Sequence, residues 1–241
     1  MLDEIAIENI LFLDIETVPQ YKTYEEVPEK LKALWDKKAL RLFGEESTLE
    51  NDEKYHRAGI YAEFGKIVCI SVGIVSTEKN GEKFARIKSF YGENEKELLE
   101  KFAHLLNTHY RRTNVRLCAH NGKEFDFPFI SRRMLLNKVR LPLILDTAGK
   151  KPWEVMHIDT LELWKFGDYK SYTSLDLLAT IFNIPTPKDD IDGSQVRAVY
   201  YEENDLQRIV TYCQKDVLTI IQLYLCYCLE EMIIEENVAY I

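Results

Sequence analysis

The segment Leu11-Phe12-Leu13-Asp14-Ile15-Glu16-Thr17 constrains this chain more than any other. Its apolar run, bounded by Asn9 and by Val18-Pro19, reads as a strand over Ile10 to Ile15. Asp14 and Glu16 stand two apart, so their side chains share one face of that strand. Two carboxylates beside a buried strand repel each other and are expensive to dehydrate. A hard divalent cation relieves both costs, because Mg²⁺ and Mn²⁺ prefer oxygen ligands. A strand end that reaches solvent, with both acids hydrated, is the other reading of these residues.

The rest of the chain supplies a sheet for that strand. Ile67 to Val75 and Phe84 to Tyr91 read as strands joined by a Lys79-Asn80-Gly81 turn, which is a hairpin signal. Asn94-x-x-Glu97 resembles a capping box. Leu98, Leu99, Phe102, Leu105 and Leu106 follow it at helical spacing. Val115 to Ala119 and Val155 to Ile158 are short strands, and a helix runs from about Phe125 to Asn137. Thr173-x-x-Asp176 opens another helix, and a further short one is expected after Ser194. The last helix starts near Asn204 and carries the stripe Leu206, Ile209, Val210, Cys213, Val217, Ile220, Ile221 and Tyr224. Three antiparallel strands followed by parallel strands with crossover helices make a mixed α/β sheet. Residues 21–63 are charged, partly helical from Glu29 to Phe43, and read as an insertion within one domain spanning 1–241. The aromatics there (Trp35, Phe43, Tyr55 and Tyr61) either stack on a single strand of nucleic acid or pack as a helical cap.

Two further segments carry chemistry. In His120-Asn121-Gly122-Lys123-Glu124-Phe125-Asp126, a buried strand ends at Ala119 and a Gly-containing turn leads into a helix. Asp126 therefore sits beyond a strand's carboxyl end, where α/β sheets often place their sites. Stabilising the helix N-terminus is the alternative role for that acid. In Tyr212-Cys213-Gln214-Lys215-Asp216, the Tyr and the Asp are four apart on one helix face, at the rim of the apolar stripe.

Together the three segments resemble the DEDD superfamily of 3′-to-5′ exonucleases, in its tyrosine subclass. The wording Asp-Ile-Glu-Thr, Asn-Gly-x-x-Phe-Asp-x-Pro and Tyr-Cys-x-x-Asp is similar to the exonuclease domain of family B DNA polymerases and to stand-alone bacterial proteins like it. The resemblance covers Ile10 to about Tyr227 and implies a ribonuclease H-like fold with a five- or six-stranded mixed sheet flanked by helices. It implies 3′-end hydrolysis of DNA, preferably single-stranded, with two Mg²⁺ or Mn²⁺ ions held by Asp14, Glu16, Asp126 and Asp216. Asp14 would bridge the ions, and Tyr212 would orient the attacking water. The histidine subclass has a His five residues before the last Asp, and Thr211 stands there instead. Asn121, Thr17, Arg132 and Arg133 are the substrate-contact candidates. An exoribonuclease on the same fold, or an inactive nucleic-acid-binding module, are the competing readings; degenerate members usually lose a carboxylate, and all four are present.

Charge and composition bear on the partner. Net charge is −9, yet the stretch from Arg111 to Lys151 carries ten basic residues, Arg112 among them, against three acidic ones. Such a patch can hold phosphates while the remaining surface repels them, or it can be a solvated helix face. Five cysteines without metal-ligand spacing point to buried free thiols in a reducing, cytoplasmic setting. The start Met-Leu-Asp-Glu-Ile-Ala has no signal-peptide pattern, and Val217 to Leu229 is too short and mixed to span a membrane.

Overall fold

The computed structural model describes residues 5–111, 114–168, 172–185 and 191–241. Arg112 of the basic run lies outside them. Six strands form one sheet: β1 (Ile10–Pro19), β2 (Gly65–Thr77), β3 (Lys83–Tyr91), β4 (Arg116–Ala119), β5 (Ile158–Asp159) and β6 (Val238–Tyr240). Their order is β5-β4-β1-β2-β3-β6. The pairs β1–β2 and β2–β3 are antiparallel, whereas β1–β4, β4–β5 and β3–β6 are parallel. This is a mixed, helix-flanked α/β sheet with six strands, as the sequence leads one to expect.

Eight helices accompany the sheet among the described residues: α1 (Glu29–Phe43), α2 (Asn51–Tyr55), α3 (Glu95–His109), α4 (Asp126–Leu136), α5 (Thr160–Lys165), α6 (Leu175–Ile181), α7 (Val196–Ala198) and α8 (Leu206–Tyr227). A strand covered on both faces needs apolar residues at nearly every position, and β1 meets that demand. Leu11, Leu13 and Ile15 pack with Leu98, Leu99 and Phe102 of α3 and Phe127, Ile130 and Met134 of α4. Ile10 and Phe12 pack on the opposite face with Val217, Ile220, Ile221 and Tyr224 of α8. The alternation therefore turns Asp14 and Glu16 toward α8. Gly73 of β2 lets α8 approach closely: a Cβ there would lie 2.8 Å from both Val217 and Ile221 side-chain atoms.

Several local expectations shift. Asn94 caps α3 by accepting from Glu97 N–H, as its spacing suggests. The cap of α6 is Ser174, not Thr173, because the Thr173 carbonyl is engaged by His120. The strand expected over Val155 to Ile158 shrinks to β5, since 155–157 are irregular and the Leu117 N–H donates to His157 Nδ1 instead of to a strand partner.

Residues 21–63 hold α1, α2 and an apolar cluster built from Tyr24, Val27, Trp35, Ala39, Tyr55 and Ala58 with Phe64. Trp35 is 1% exposed, with ring centroids 5.6 Å from Tyr55 and 5.2 Å from Phe64. That burial removes Trp35 and Tyr55 from any stacking role and leaves the packed-cap reading of this segment.

Candidate active site

The site forms where β1, the turn after β4, and α8 converge. Asp14 and Glu16 point from β1, opposite Ser71 and Cys69 of β2. Just beyond Glu16 the β1–β2 register shifts by a bulge, a feature that re-aims side chains near active sites. Thr17, half-buried, sits on the far side of that bulge.

Asp126 arrives by a different route. β4 ends at Ala119, and the chain reverses through Asn121, whose φ of 59° is left-handed, a conformation Asn tolerates better than most residues. Gly122 has no room for a side chain: a Cβ would lie 2.4 Å from the Ala119 Cβ and 3.0 Å from the Phe127 ring. Asp159 fixes this turn. It is 4% exposed and accepts from the N–H groups of Asn121 (2.9 Å) and Lys123 (3.0 Å), while also capping α5 through Leu161 and Glu162. His120 bonds Thr160 and the Thr173 carbonyl, both at 2.9 Å. The turn delivers Asp126, 3% exposed, to β1, where its carboxylate meets the Ile15 N–H.

Tyr212, Cys213 and Asp216 come from α8, whose first turn is capped by Asp205. The Tyr212 hydroxyl hydrogen-bonds to the Asp216 carboxylate. Cys213 Sγ donates to the Asp14 carbonyl and lies 3.4 Å from Asp14 Oδ2. Ligand atoms of Asp14, Glu16 and Cys213 all lie within 4.8 Å of one another.

The electrostatics show carboxylates lacking compensation. Burial pushes Asp14 and Glu16 well above the usual carboxylate range; repulsion adds to it, from Asp216 and Asp126 on Asp14, and from Asp14 and Asp216 on Glu16. Asp126 is pushed up to about 8, chiefly by burial, with the Asp159 and Asp216 charges adding to it. Burial and the three neighbouring acids Asp216, Glu16 and Asp14 also drive the Tyr212 hydroxyl far up, so it stays protonated. Asp126 Oδ1 is buried without a hydrogen-bond partner. Burying such an atom unpaired is costly, and four carboxylates together fit a hard divalent cation. The residues present therefore fit the metal that the sequence implies.

The substrate candidates separate. Asn121, in the turn that leads to Asp126, and Thr17, next after Glu16, are half-buried, and Arg132 is exposed on α4. Arg133 does not serve as a phosphate contact. It is 5% exposed and gives Nε to Glu95 Oε1 (2.8 Å), Nη2 to Glu95 Oε2 and Nη1 to the Ala62 carbonyl (2.9 Å). Seven positions after Asp126, it lies on the inward face of α4 and joins that helix to α3 and to the end of the insertion. Sequence reasoning missed Asp159. Its only local signal is an Asp immediately before the start of α5, an ordinary N-cap pattern.

Residues 60–239 match the family described as "Predicted 3'-5' exonuclease related to the exonuclease domain of PolB". With most of its length matched, the chain belongs to that family of exonuclease-like domains. The match includes Asp126, Tyr212 and Asp216 but begins after Asp14 and Glu16, which β1 brings to them. Among solved structures, the chain is similar to the family B DNA polymerase from the hyperthermophilic archaeon Pyrobaculum calidifontis, at 14% identity and a TM-score of 0.48. That similarity covers 91% of this chain and 24% of the polymerase, so the chain spans about a quarter of that protein's length. No curated protein matches the sequence. No helix among the described residues is long and apolar enough to cross a membrane.

Proposed function

We propose that the protein removes nucleotides from the 3′ end of DNA, preferring single strands, with two Mg²⁺ or Mn²⁺ ions. The observation that carries this reading is the convergence of Asp14, Glu16, Asp126 and Asp216 from three separate segments, with Asp126 Oδ1 buried and unpartnered. Asp14, Glu16 and Asp216 would hold one ion, and Asp14 and Asp126 the other. Such ions, when bound, supply Lewis-acid polarisation of the phosphate and ease ionisation of the attacking water. Tyr212 contributes an O–H that stays protonated, so it orients a water and does not act as a base. Asp216, hydrogen-bonded to that hydroxyl, fixes its direction. Glu16 accepts a hydrogen bond from the same water across the site. Asn121, in the turn before Asp126, and Thr17, next to Glu16, would contact the terminal nucleotide, and Arg132 offers an exposed cation to phosphate.

The test is a 5′-labelled DNA single strand with Mg²⁺ or Mn²⁺, beside a matched RNA strand, an Asp14→Ala variant and an EDTA control. The expected result is a ladder shortening from the 3′ end of DNA, absent from both controls. Trimming of RNA alone would move the substrate to RNA. Intact strands of both kinds with both metals would sink the nuclease reading.

A further inference from the structure

The thiol of Cys213 belongs to the carboxylate cluster, and a catalytic site that uses only hard cations has no need of it. Its Sγ lies 3.4 Å from Asp14 Oδ2, and a Glu16 oxygen completes a triad within 4.8 Å. A tetrahedral cation with bonds of about 2.0 Å to oxygen and about 2.3 Å to sulfur separates those two ligands by about 3.5 Å. The Asp14–Cys213 pair thus already stands at coordination spacing, and Glu16 is close enough to join by a small rotation. Asp126 supplies an independent sign that the cluster awaits a cation: the residue is 3% exposed, its charge acts on both Asp14 and Glu16, and its buried Oδ1 has no partner.

We propose that Asp14, Glu16 and Cys213 form a site for a thiophilic divalent cation of the Zn²⁺ or Cd²⁺ class, which competes with the hard cations of the nuclease reading. Mg²⁺ and Mn²⁺ take the oxygens and leave the thiol protonated, whereas Zn²⁺ and Cd²⁺ gain from a sulfur ligand. On binding, the Cys213 S–H bond breaks, its proton leaves to solvent, and the sulfur lone pair forms the metal–sulfur bond. No electron is transferred. Because Asp14 is common to both ligand sets, the soft ion displaces the hard one. The inhibitory consequence rests on the nuclease reading; the binding site itself does not.

The experiment titrates the metal-free full chain with Cd²⁺ and follows the ultraviolet charge-transfer absorption of cadmium–thiolate bonds. It uses a Cys226→Ser/Cys228→Ser background, so that the two half-buried thiols at the end of α8 do not contribute. The expected result is a band that saturates at one Cd²⁺ per chain. Cys213→Ser should abolish the band and weaken binding by at least about tenfold, the loss seen when even an outer partner of a metal site is removed. Asp14→Asn keeps every thiol and should weaken Cd²⁺ binding similarly, which covers the case in which Cys213→Ser fails to fold. A missing band, a band that survives Cys213→Ser, or an Asp14→Asn affinity equal to wild type would each overturn the site. Mg²⁺-dependent trimming is measured alongside. A band without any trimming in the absence of Cd²⁺ defeats the nuclease reading and leaves the site standing; trimming undisturbed at saturating Cd²⁺ defeats the competition.

Discussion

Replacing Asp126 by Asn should stabilise the metal-free protein at neutral pH. Burial first, then the Asp159 and Asp216 charges, hold the Asp126 carboxyl up at about 8, against 3.8 as its ordinary value. The folded protein therefore keeps a proton that the unfolded chain releases. Stability from this group is full below the unfolded value and is lost as pH rises through the window from 3.8 to about 8. Each unit of separation is worth about 1.4 kcal/mol, so at pH 7 the loss amounts to roughly 4 kcal/mol. Asp14 and Glu16 shift in the same direction, which steepens the decline. Asn keeps an oxygen for the Ile15 N–H but has no proton to lose. Urea unfolding in EDTA, repeated across pH, is the assay. The variant should gain on wild type by roughly 4 kcal/mol between about pH 4 and pH 7. Mg²⁺ at a hundred times its Kd should narrow that gap by about 2.7 kcal/mol, because it stabilises only the form that binds it. Parallel curves for the two proteins in EDTA would refute the reasoning.

The remaining predictions concern the site and its supports. Asp14→Ala or Asp216→Ala should abolish cleavage of labelled strands, because groups acting as a unit each carry nearly the full effect; normal turnover in either would misplace the site. Tyr212→Phe should slow turnover while leaving Mn²⁺ affinity, measured calorimetrically, within about threefold of wild type, as expected for a residue that orients water without ligating metal. Arg133→Met leaves Glu95 charged and buried, and should cost about 3–5 kcal/mol in urea unfolding; the double change with Glu95→Leu should recover much of that. Gly73→Ala presses α8 off β2 and should cost about 1–3 kcal/mol. It should also slow cleavage beyond what the unfolded fraction explains, since Tyr212 and Asp216 ride on that helix.

The parts of this architecture that were legible in the sequence are those with a period. β1 to β4 emerge from apolar runs bounded by turn residues, and α8 from a stripe whose spacing also places Tyr212 and Asp216 on its rim. Asp14 and Glu16 were legible as a pair because strand alternation alone puts them on one face. What was hidden depends on partners distant in the chain. Asp159 looks like any helix cap, and nothing local announces that it also grips Asn121 and Lys123, separated from it by 38 and 36 residues. Arg133 reads as a surface cation, and its burial comes from Glu95, 38 residues away, and from the Ala62 carbonyl. Counting helical turns from Asp126 places it on the inward face of α4, the one sign available in advance. Five-residue α2 and three-residue β6 are too short for any period to declare them, and β5 keeps only the last residue of the strand expected over Val155 to Ile158.

The recognised family segment begins at residue 60, and the two carboxylates of β1 precede it on a strand whose register places them. A slip of one residue would turn Leu13 and Ile15 toward α8 and carry Asp14 and Glu16 to the α3–α4 face. Both faces are apolar, so hydrophobic pattern alone resists this slip weakly. Shape resists it at both ends. Near the start, Phe12 pairs with Gly73, where Val217 and Ile221 fill the space a side chain would take. Near the finish, Gly59 of the insertion lies so close to Val18 and Pro19 that a Cβ would meet them at 3.0–3.1 Å, and the Pro19 carbonyl accepts from the Tyr201 hydroxyl at 2.6 Å. The Gln20 N–H donates to the Phe64 carbonyl, tying the strand's exit to the insertion's end. The insertion thus secures the far end of β1, and through Arg133 its last residues are also tied to α4, which carries Asp126. Three of the four carboxylates are thereby positioned by elements that the 21–63 segment touches directly.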